Sequence, residues 1–470
     1  MASFTEFCCR SGGSNLNAGS RSGSSTEPGT SADFTYASGS WVASTGVFTV
    51  ASGNPSSDGV AVGDWASVYP DGSTTAVFIG RVTARTTTTI TVSLTVKGGT
   101  APTDGTSNRT VKIGGAWAGP SGGTAFPFGI VNTAMQNLSS NPVRVNMKND
   151  QTYSLTAGIS VTSGVPAYIA GYTTSYGDLG RTIFDGGTSG ASYSLWTLGA
   201  TAGSMRLEAF EFRNNGATGS TAGVTISNTS SSFVQCVFHD FQGSGLNGSS
   251  AVTLVECEFY LCNKSNTANL GGISVTGAVC MRRTIFHDNT GTNNQGAYVN
   301  GSSSAQISHC IFDSNGTSAG LRLGASANAI VENSDFYNNV GPGILIGGGF
   351  NYVDNCNFFK NGTYGISGSS GHVQVYNSTY GSGTQANGSG TISMASYDEG
   401  SPTTYASGGL PWIDAPNGDF RNSASTAGRG SFLQTQSGYA GTTFNDTVGA
   451  ATVATTSNNY YFPVTRRKVV

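Results

Sequence analysis

The sequence predicts an all-β chain whose greater part is a solenoid, and three observations carry that reading. A pattern centred on Phe recurs at 212, 238, 259, 286, 312, 336 and 358, with Tyr380 in the eighth place, at gaps of 26, 21, 27, 26, 24, 22 and 22 residues. A near-constant period in this range marks stacked repeats, because one repeat cannot bury its own apolar face. Between the copies lie second apolar runs opened by Gly: Gly223–Ile226, Gly272–Val275, Gly296–Val299, Gly320–Leu323 and Gly343–Ile346. Charged residues are 10% of the chain and Gly is 68 of 470, against about 25% and about 7% in ordinary domains. With 37% apolar residues in strand patterns, such a chain buries a long core rather than remaining disordered.

Aligned on Phe, the repeat has a fixed plan. Five places earlier stand Phe233, Leu254, Met281, Ile307, Val331, Val353 and Val375. Two places earlier stand Cys236, Cys257, Thr284, Cys310, Ser334, Cys356 and Ser378. Three places later stand Asn215, Phe241, Cys262, Asn289, Asn315, Asn339 and Asn361. Short alternating strands broken by Gly, Asn and Ser predict about three strands per coil at about 3.3 Å per residue. Coils stacked at about 4.8 Å bring equivalent residues into ladders. Phe over Phe buries apolar area. Asn over Asn satisfies amides and turn backbone together. The Cys rank reads as small buried hydrophobes; Thr and Ser share it, which favours packing over metal binding or disulfides.

The elements follow in chain order. Residues 1–40 read as an extended arm without periodicity, expected to order against a neighbouring chain and to add little to the core. Residues 41–118 read as a small β-barrel or sandwich, with strand runs Val47–Val50, Val60–Trp65, Ala76–Ile79, Arg81–Ala84 and Thr89–Val92. Residues 119–140 link to the solenoid, and a short helix within Pro127–Leu138 is expected to cap its first coil. Coils occupy 141–385. Residues 386–470 form a non-repetitive β/tail region. Its end is aromatic then basic, with Arg466, Arg467 and Lys468 as assembly candidates: it adds an edge strand to a neighbour, or folds onto its own last coil.

On these residues the chain resembles the right-handed parallel β-helix family, that of pectate lyases and phage tailspikes, over 140–385. The stretch Ile169–Arg181 followed by Ile183–Asp185 is similar to an early coil of such proteins. The order Val62-Gly-Asp-Trp65, Ile79-Gly-Arg-Val82, Thr89-Ile-Thr-Val92 resembles small β-barrel modules of phage structural proteins. Asp414–Arg421 with Gly428–Gly430 resembles the tail after the coils. Lyases of this family imply acidic calcium ligands and a basic group, and hydrolases imply two or three Asp on one face. The signatures Asn-Thr-Asp, Asp-Asp, Gly-His-Gly and Arg-Ile-Lys are absent; Gly371-His-Val373 is a partial echo.

Charge and cysteine usage narrow the function classes. A net charge of −3 gives no electrostatic case for nucleic acid. No apolar run of about 18 residues predicts a membrane span, and Met1–Arg10 does not read as a signal peptide. The eight cysteines include no CxxC pair and no zinc spacing, so reduced thiols, cytoplasmic synthesis and no metal or cofactor are expected.

Two residue sets are candidates for chemistry. Glu256 and Glu258 flank Cys257 and are expected on one strand face, about 7 Å apart, within the roughly 6.5–9.5 Å spacing of inverting hydrolases; the plainer reading is a solvated strand face. The second set follows the core Phe: Arg213, His239, Tyr260, His287, Asp313, Tyr337 and Phe359. Of these, His239, Tyr260, His287, Tyr337 and Phe359 are glycan- or partner-binding candidates. Exposed, they form a stacking strip for sugar rings; otherwise they pack a turn or a neighbouring subunit. His239 and His287, two coils or about 10 Å apart, cannot share one metal ion. The reading that unites these features is a structural protein of a tailed-phage virion: a spike, fibre or capsid-decorating protein. It is expected to be homotrimeric, to assemble with other virion proteins and to meet host-surface polysaccharide. A polysaccharide lyase or glycoside hydrolase (a depolymerase) is the alternative, discriminated by product release. A bacterial surface adhesin is the second, and needs a secretion signal.

Overall fold

Backbone amides of short stacked strands find partners only in the coils above and below, so the repeats resolve into three parallel sheets. The computed structural model describes residues 5–20, 27–74, 78–120, 143–163, 167–200, 204–227, 230–301, 304–362, 364–368, 370–376, 379–380, 384–388, 391–394, 412–414 and 419–422. They fall in two units, one of residues 1–217 and 223–237, the other of 218–222 and 238–470. The fold is a parallel β-helix with a small closed barrel near the N-terminus. Among the described residues only Pro55–Asp58 is α-helical, with the Asn54 side chain accepting from Ser57 N–H.

In the first unit, Phe34–Val42, Val47–Thr49, Thr89–Gly99, Phe78–Arg85, Trp65–Pro70 and Gly105–Ile113 close an antiparallel barrel in that order. Closure leaves no free edge. Trp41, Phe48, Val68, Phe78, Ile90 and Val111 fill it. Two sequence expectations shift. Ile79 and Arg81 belong to one strand, irregular in register around Gly80 and Val82. Val60–Asp64 precedes a strand that starts at Trp65, and the Asp64 carboxylate accepts from Ala61 N–H to close a turn there.

The segment expected as an arm enters the fold of its own chain. Thr5–Cys9 pairs in parallel with Val143–Lys148, Thr5 opposite Val143 and Cys9 opposite Met147. Phe7, Cys8 and Cys9 are buried. The Phe7 ring stacks on Trp117 at 4.9 Å and tilts against Trp65 at 5.2 Å. The far edge of the strand is closed as well: Cys8 N–H donates to Gly19 O, Trp117 N–H to Cys8 O, and Arg10 N–H to Trp117 O. The N-terminal segment therefore caps the first coil. The helix expected within 127–138 lies outside the described residues.

The first unit then carries coil strands Val143–Lys148, Ala167–Tyr172, Met205–Glu208 and Ser231–Val234 in a first sheet. Thr152–Ser154, Thr182–Asp185 and Phe210–Arg213 form a second, and Ile159–Ser163, Trp196–Ala200 and Val224–Ser227 a third. Phe184 stacks between Tyr153 (5.3 Å) and Phe212 (5.5 Å), with Trp196 against its edge at 4.7 Å.

The second unit repeats the plan. Its first sheet holds Val252–Val255, Val279–Arg282, Ser304–Ser308, Asn328–Glu332, Phe350–Asp354, His372–Tyr376 and Thr391–Met394. Three-residue strands Val237–His239, Glu258–Tyr260, Ile285–His287, Ile311–Asp313, Asp335–Tyr337 and Asn357–Phe359 carry the Phe ladder in the second sheet. Leu246–Gly248, Gly271–Val275, Gln295–Val299, Ala319–Leu323, Ile344–Ile346 and Tyr364–Gly368 lie in the third. Phe238, Phe259, Phe286, Phe312, Phe336 and Phe358 stack at 4.6, 5.0, 5.1, 4.8 and 4.9 Å with interplanar angles of at most 11°. Each fully buried Phe is worth about 1.5–3 kcal/mol. At two of the Gly that open third-sheet runs this ladder leaves no room for a side chain: a Cβ on Gly272 would sit 2.8 Å from Phe286 Cδ1, and one on Gly343 2.8 Å from Phe358 Cδ1.

Three corners turn each coil, and two of them carry ladders. Between Val255 and Asn357, first to second sheet takes two residues, and the first is left-handed whatever its type: Glu256, Arg283, His309, Asn333 and Asn355 have φ between 47 and 56°. The second residue is the Cys rank. Its Sγ or Oγ donates to the carbonyl two residues back: Cys257 to Val255, Thr284 to Arg282, Cys310 to Ser308, Ser334 to Glu332 and Cys356 to Asp354. The rank is thus a rank of buried donors, which corrects its reading as plain hydrophobes and explains why Thr and Ser share it. All eight cysteines are free. The second-to-third corner also opens on a left-handed residue, then varies in length from 261–270 to 360–363. Here the Asn ladder runs: Asn289, Asn315 and Asn339 each donate Nδ2 to the next Asn Oδ1 at 2.8–3.0 Å. Each also donates to Phe259, Phe286 or Phe312 O, at 3.1, 2.9 and 2.9 Å respectively.

Beyond Met394, Trp412–Asp414 pairs antiparallel with Asp419–Asn422. The other expectations for the tail, Arg466, Arg467 and Lys468 included, lie outside the described residues. Among the described residues no helix is long and apolar enough to cross a membrane.

Candidate functional site

A three-residue strand with its central Phe inward must turn its two flanking residues outward. The residue after Phe therefore forms an outward rank on the second sheet. In the second unit His239 stacks on Tyr260 with centroids 4.6 Å apart and planes 5° off parallel. Tyr260 stacks on His287 at 5.0 Å and 15°. Asp313 interrupts the rank, and Tyr337 and Phe359 resume it at 6.3 Å and 14°. The sequence-derived candidates are thus brought together as two stacks. They do not form an open strip: His239, His287, Tyr337 and Phe359 are 5–9% exposed. Ring planes lie face to face along the ladder, so the faces a sugar would use are occupied by neighbouring rings.

Charge gathers on the first stack. The His287 ring meets Glu258 Oε1 through Nε2 at 3.0 Å and Asp288 Oδ2 through Nδ1 at 2.9 Å. Burial pulls its pKa down, but the two carboxylates accepting from the ring push it up to about 9. His287 is therefore an imidazolium held between carboxylates, with both ring N–H groups donating. His239 Nδ1 meets Asp240 Oδ2 at 2.6 Å, and Lys264 Nζ donates to Asp240 Oδ1 at 2.5 Å. Burial raises the Asp240 pKa, and these two partners override it and hold the carboxyl at about 2.

The two glutamates do not form a pair on one strand. Glu256 occupies the left-handed corner with φ 56°, before the strand begins at Glu258, and its Oε1 accepts from Arg283 Nη1 at 2.9 Å. The spacing expected from alternation along a strand does not apply across that corner. Glu258 faces His287 instead. Among the described residues no group of three or more His, Cys, Asp or Glu is placed to hold a metal ion.

Lys264 was not singled out by the sequence reading. Its signal was a charge opposite to Asp240 one coil away. Asp240 and Asp288 reach the rings because both are left-handed, with φ 64 and 52°, which turns each carboxylate onto the preceding imidazole. The triplet Phe-His-Asp at 238–240 and again at 286–288 was the visible trace of this arrangement.

Residues 200–380 match the family model described as "Right handed beta helix region". The solenoid is accordingly a right-handed β-helix. No curated protein matches the chain. Similar solved structures include ORF18 of Geobacillus virus E2, at 15% identity and a TM-score of 0.36, covering 56% of this chain and 55% of that one. The chain thus spans about half the length of that structure. A second is the catalytic unit of a thermostable GH87 alpha-1,3-glucanase from Streptomyces thermodiastaticus, at 13% identity and a TM-score of 0.30, covering 75% and 89%. A third is the A-module of the Azotobacter vinelandii mannuronan C-5 epimerase AlgE4, at 11% and 0.23, covering 54% and 88%.

Proposed function

We propose that this protein is a structural component of a tailed-phage virion, a β-helix spike, fibre or capsid-decorating protein that meets host-surface polysaccharide by contact rather than by cleavage. The observation that carries the reading is the internal closure of the charged cluster. Glu256 is paired with Arg283, Glu258 and Asp288 with His287, and Asp240 with His239 and Lys264. Groups so paired hold the outward face of the coils in one arrangement, which suits a rigid presenting surface. A homotrimer of the 48.0 kDa chain, joined to other virion proteins, is the assembly expected. Light scattering of the purified chain and quantitative mass spectrometry of purified particles test it. A trimer, present at a multiple of three per particle site, supports the reading. A monomer absent from particles overturns it.

A second reading rests on one specific feature. An imidazole oriented by a carboxylate, with a tyrosine stacked on it and a lysine on the same carboxylate, is a set able to move protons. His239, Asp240, Tyr260 and Lys264 have that composition, in a polysaccharide lyase or hydrolase. Product release from a polysaccharide panel, lost in His239→Gln and in Glu258→Gln, would establish it. No product from any polysaccharide would leave the contact reading in place.

A further inference from the structure

Gln295 is a buried amide without a protein partner. It opens the third-sheet strand Gln295–Val299 on the inward side, in phase with Ala297 and Val299, and it is 0% exposed. Neither its side-chain nitrogen nor its oxygen has a hydrogen-bond partner among the described residues. Other inward positions nearby, such as Ile273, Val275, Leu321 and Leu323, are apolar.

The coils around it make room for that amide. In the sheet register Gly271 lies on one side of Gln295 and Ala319 on the other. A Cβ on Gly271 would fall 3.1 Å from Gln295 Cγ and 2.0 Å from Gln295 O. Hence the side chain has a glycine on one side and a single methyl on the other, where ladders elsewhere hold large residues. Uncharged polar groups collect at the same corner. Ser244 Oγ, fully buried, accepts from Gly271 N–H at 3.3 Å. Asn263 and Asn294 are also fully buried. Asn294 Nδ2 reaches Asn263 O at 3.2 Å and Cys262 O at 3.4 Å.

A buried amide left bare is strongly disfavoured, and buried polar groups in folded proteins are satisfied by protein or by ordered water. From this geometry we infer that Gln295 anchors an internal hydration site in the solenoid core. One or more ordered water molecules donate to its Oε1 and accept from its Nε2. Water fits the chemistry better than a cation, because Gln295, Ser244, Asn263 and Asn294 carry no charge. An internal water needs two to four polar partners, and the two open amide atoms of Gln295 are the first of them.

The test uses the full chain. A high-resolution crystal structure of the unaltered protein should show density within hydrogen-bond distance of both Gln295 amide atoms. The variant Gln295→Met keeps the volume and removes the polar atoms; it should lose that density and melt several degrees lower. Empty space around the amide, or a Gln295→Met variant that melts higher than the parent, overturns the proposal, since removing a dry amide stabilises. A melting temperature that depends on whether sodium or potassium is present, at equal ionic strength, overturns it in favour of a bound ion. If Gln295→Met does not fold, the density in the unaltered protein decides alone.

Discussion

His287 shows how one side chain is fixed by its ladder position. It stands between Glu258 of the coil before and Asp288 of its own corner, and its pKa of about 9 lies above the ordinary 6.5. A raised pKa means the folded state holds the proton more tightly. The stabilising contribution is complete below pH 6.5 and is lost as pH rises through about 9. Asp240 works in the opposite sense: its pKa of about 2 lies below 3.8, so its contribution is complete above 3.8 and is lost as pH falls through about 2. Nitrogen NMR of the His287 ring should titrate near pH 9, and Glu258→Gln should move that midpoint down. A midpoint near 6.5 in the unaltered protein would remove the ion-pair account. The Cys rank gives a second prediction at this scale. Burial pushes the Cys310 thiol up to about 12, so it stays protonated and donates to Ser308 O at 3.4 Å. Cys310→Ser keeps a donor and should cost under about 1 kcal/mol, whereas Cys310→Ala loses donor and volume and should cost about 1–3 kcal/mol. Urea titration of both variants checks the order.

At the scale of the element, the corner decides more than the strand. Gln235, Glu256, Arg283 and His309 share a left-handed backbone and have no residue type in common. The conformation is imposed by joining two strands in two residues. That is why these corners could not be read from sequence, while the Phe and Asn ranks could: stacking demands the same residue at each level, and a corner demands only a backbone angle. A left-handed residue other than Gly costs about 1–2 kcal/mol, less for Asn. Asn already fills this corner at 333 and 355, where Asn355 Nδ2 donates to Asn333 Oδ1. His309→Asn should therefore stabilise by about 1 kcal/mol, read as a higher melting temperature. No rise would mean that the His309 packing outweighs the strain. The candidate site divides in the same way. The stacked rings follow from rank membership and were legible. The closing of the carboxylates onto them depends on left-handed Asp240 and Asp288 and was not.

At the scale of the whole molecule, the N-terminal strand was the largest feature missed. Thr5–Cys9 is shorter than any window in which a period shows, and its burial comes from Val143–Lys148 and Trp117, more than a hundred positions away. Deleting residues 1–20 should bare the edge of the first coil strand and the Trp117 ring. The truncated chain should melt several degrees lower and aggregate. A melt equal to that of the full chain would show that the cap contributes nothing.

The two corners also differ in what they permit over evolutionary time. Between Val255 and Asn357 one is always two residues and bent against its preference, so a single inserted residue there would displace every ladder beyond it. The other already ranges from 360–363 to 261–270 without disturbing the strands on either side. In these coils of the second unit, where the third-to-first corner keeps to three or four residues, new sequence therefore has one main address. Variation between relatives in what the solenoid displays should gather along that single ridge, and a foreign peptide grafted at 264–268 should be carried without loss of register.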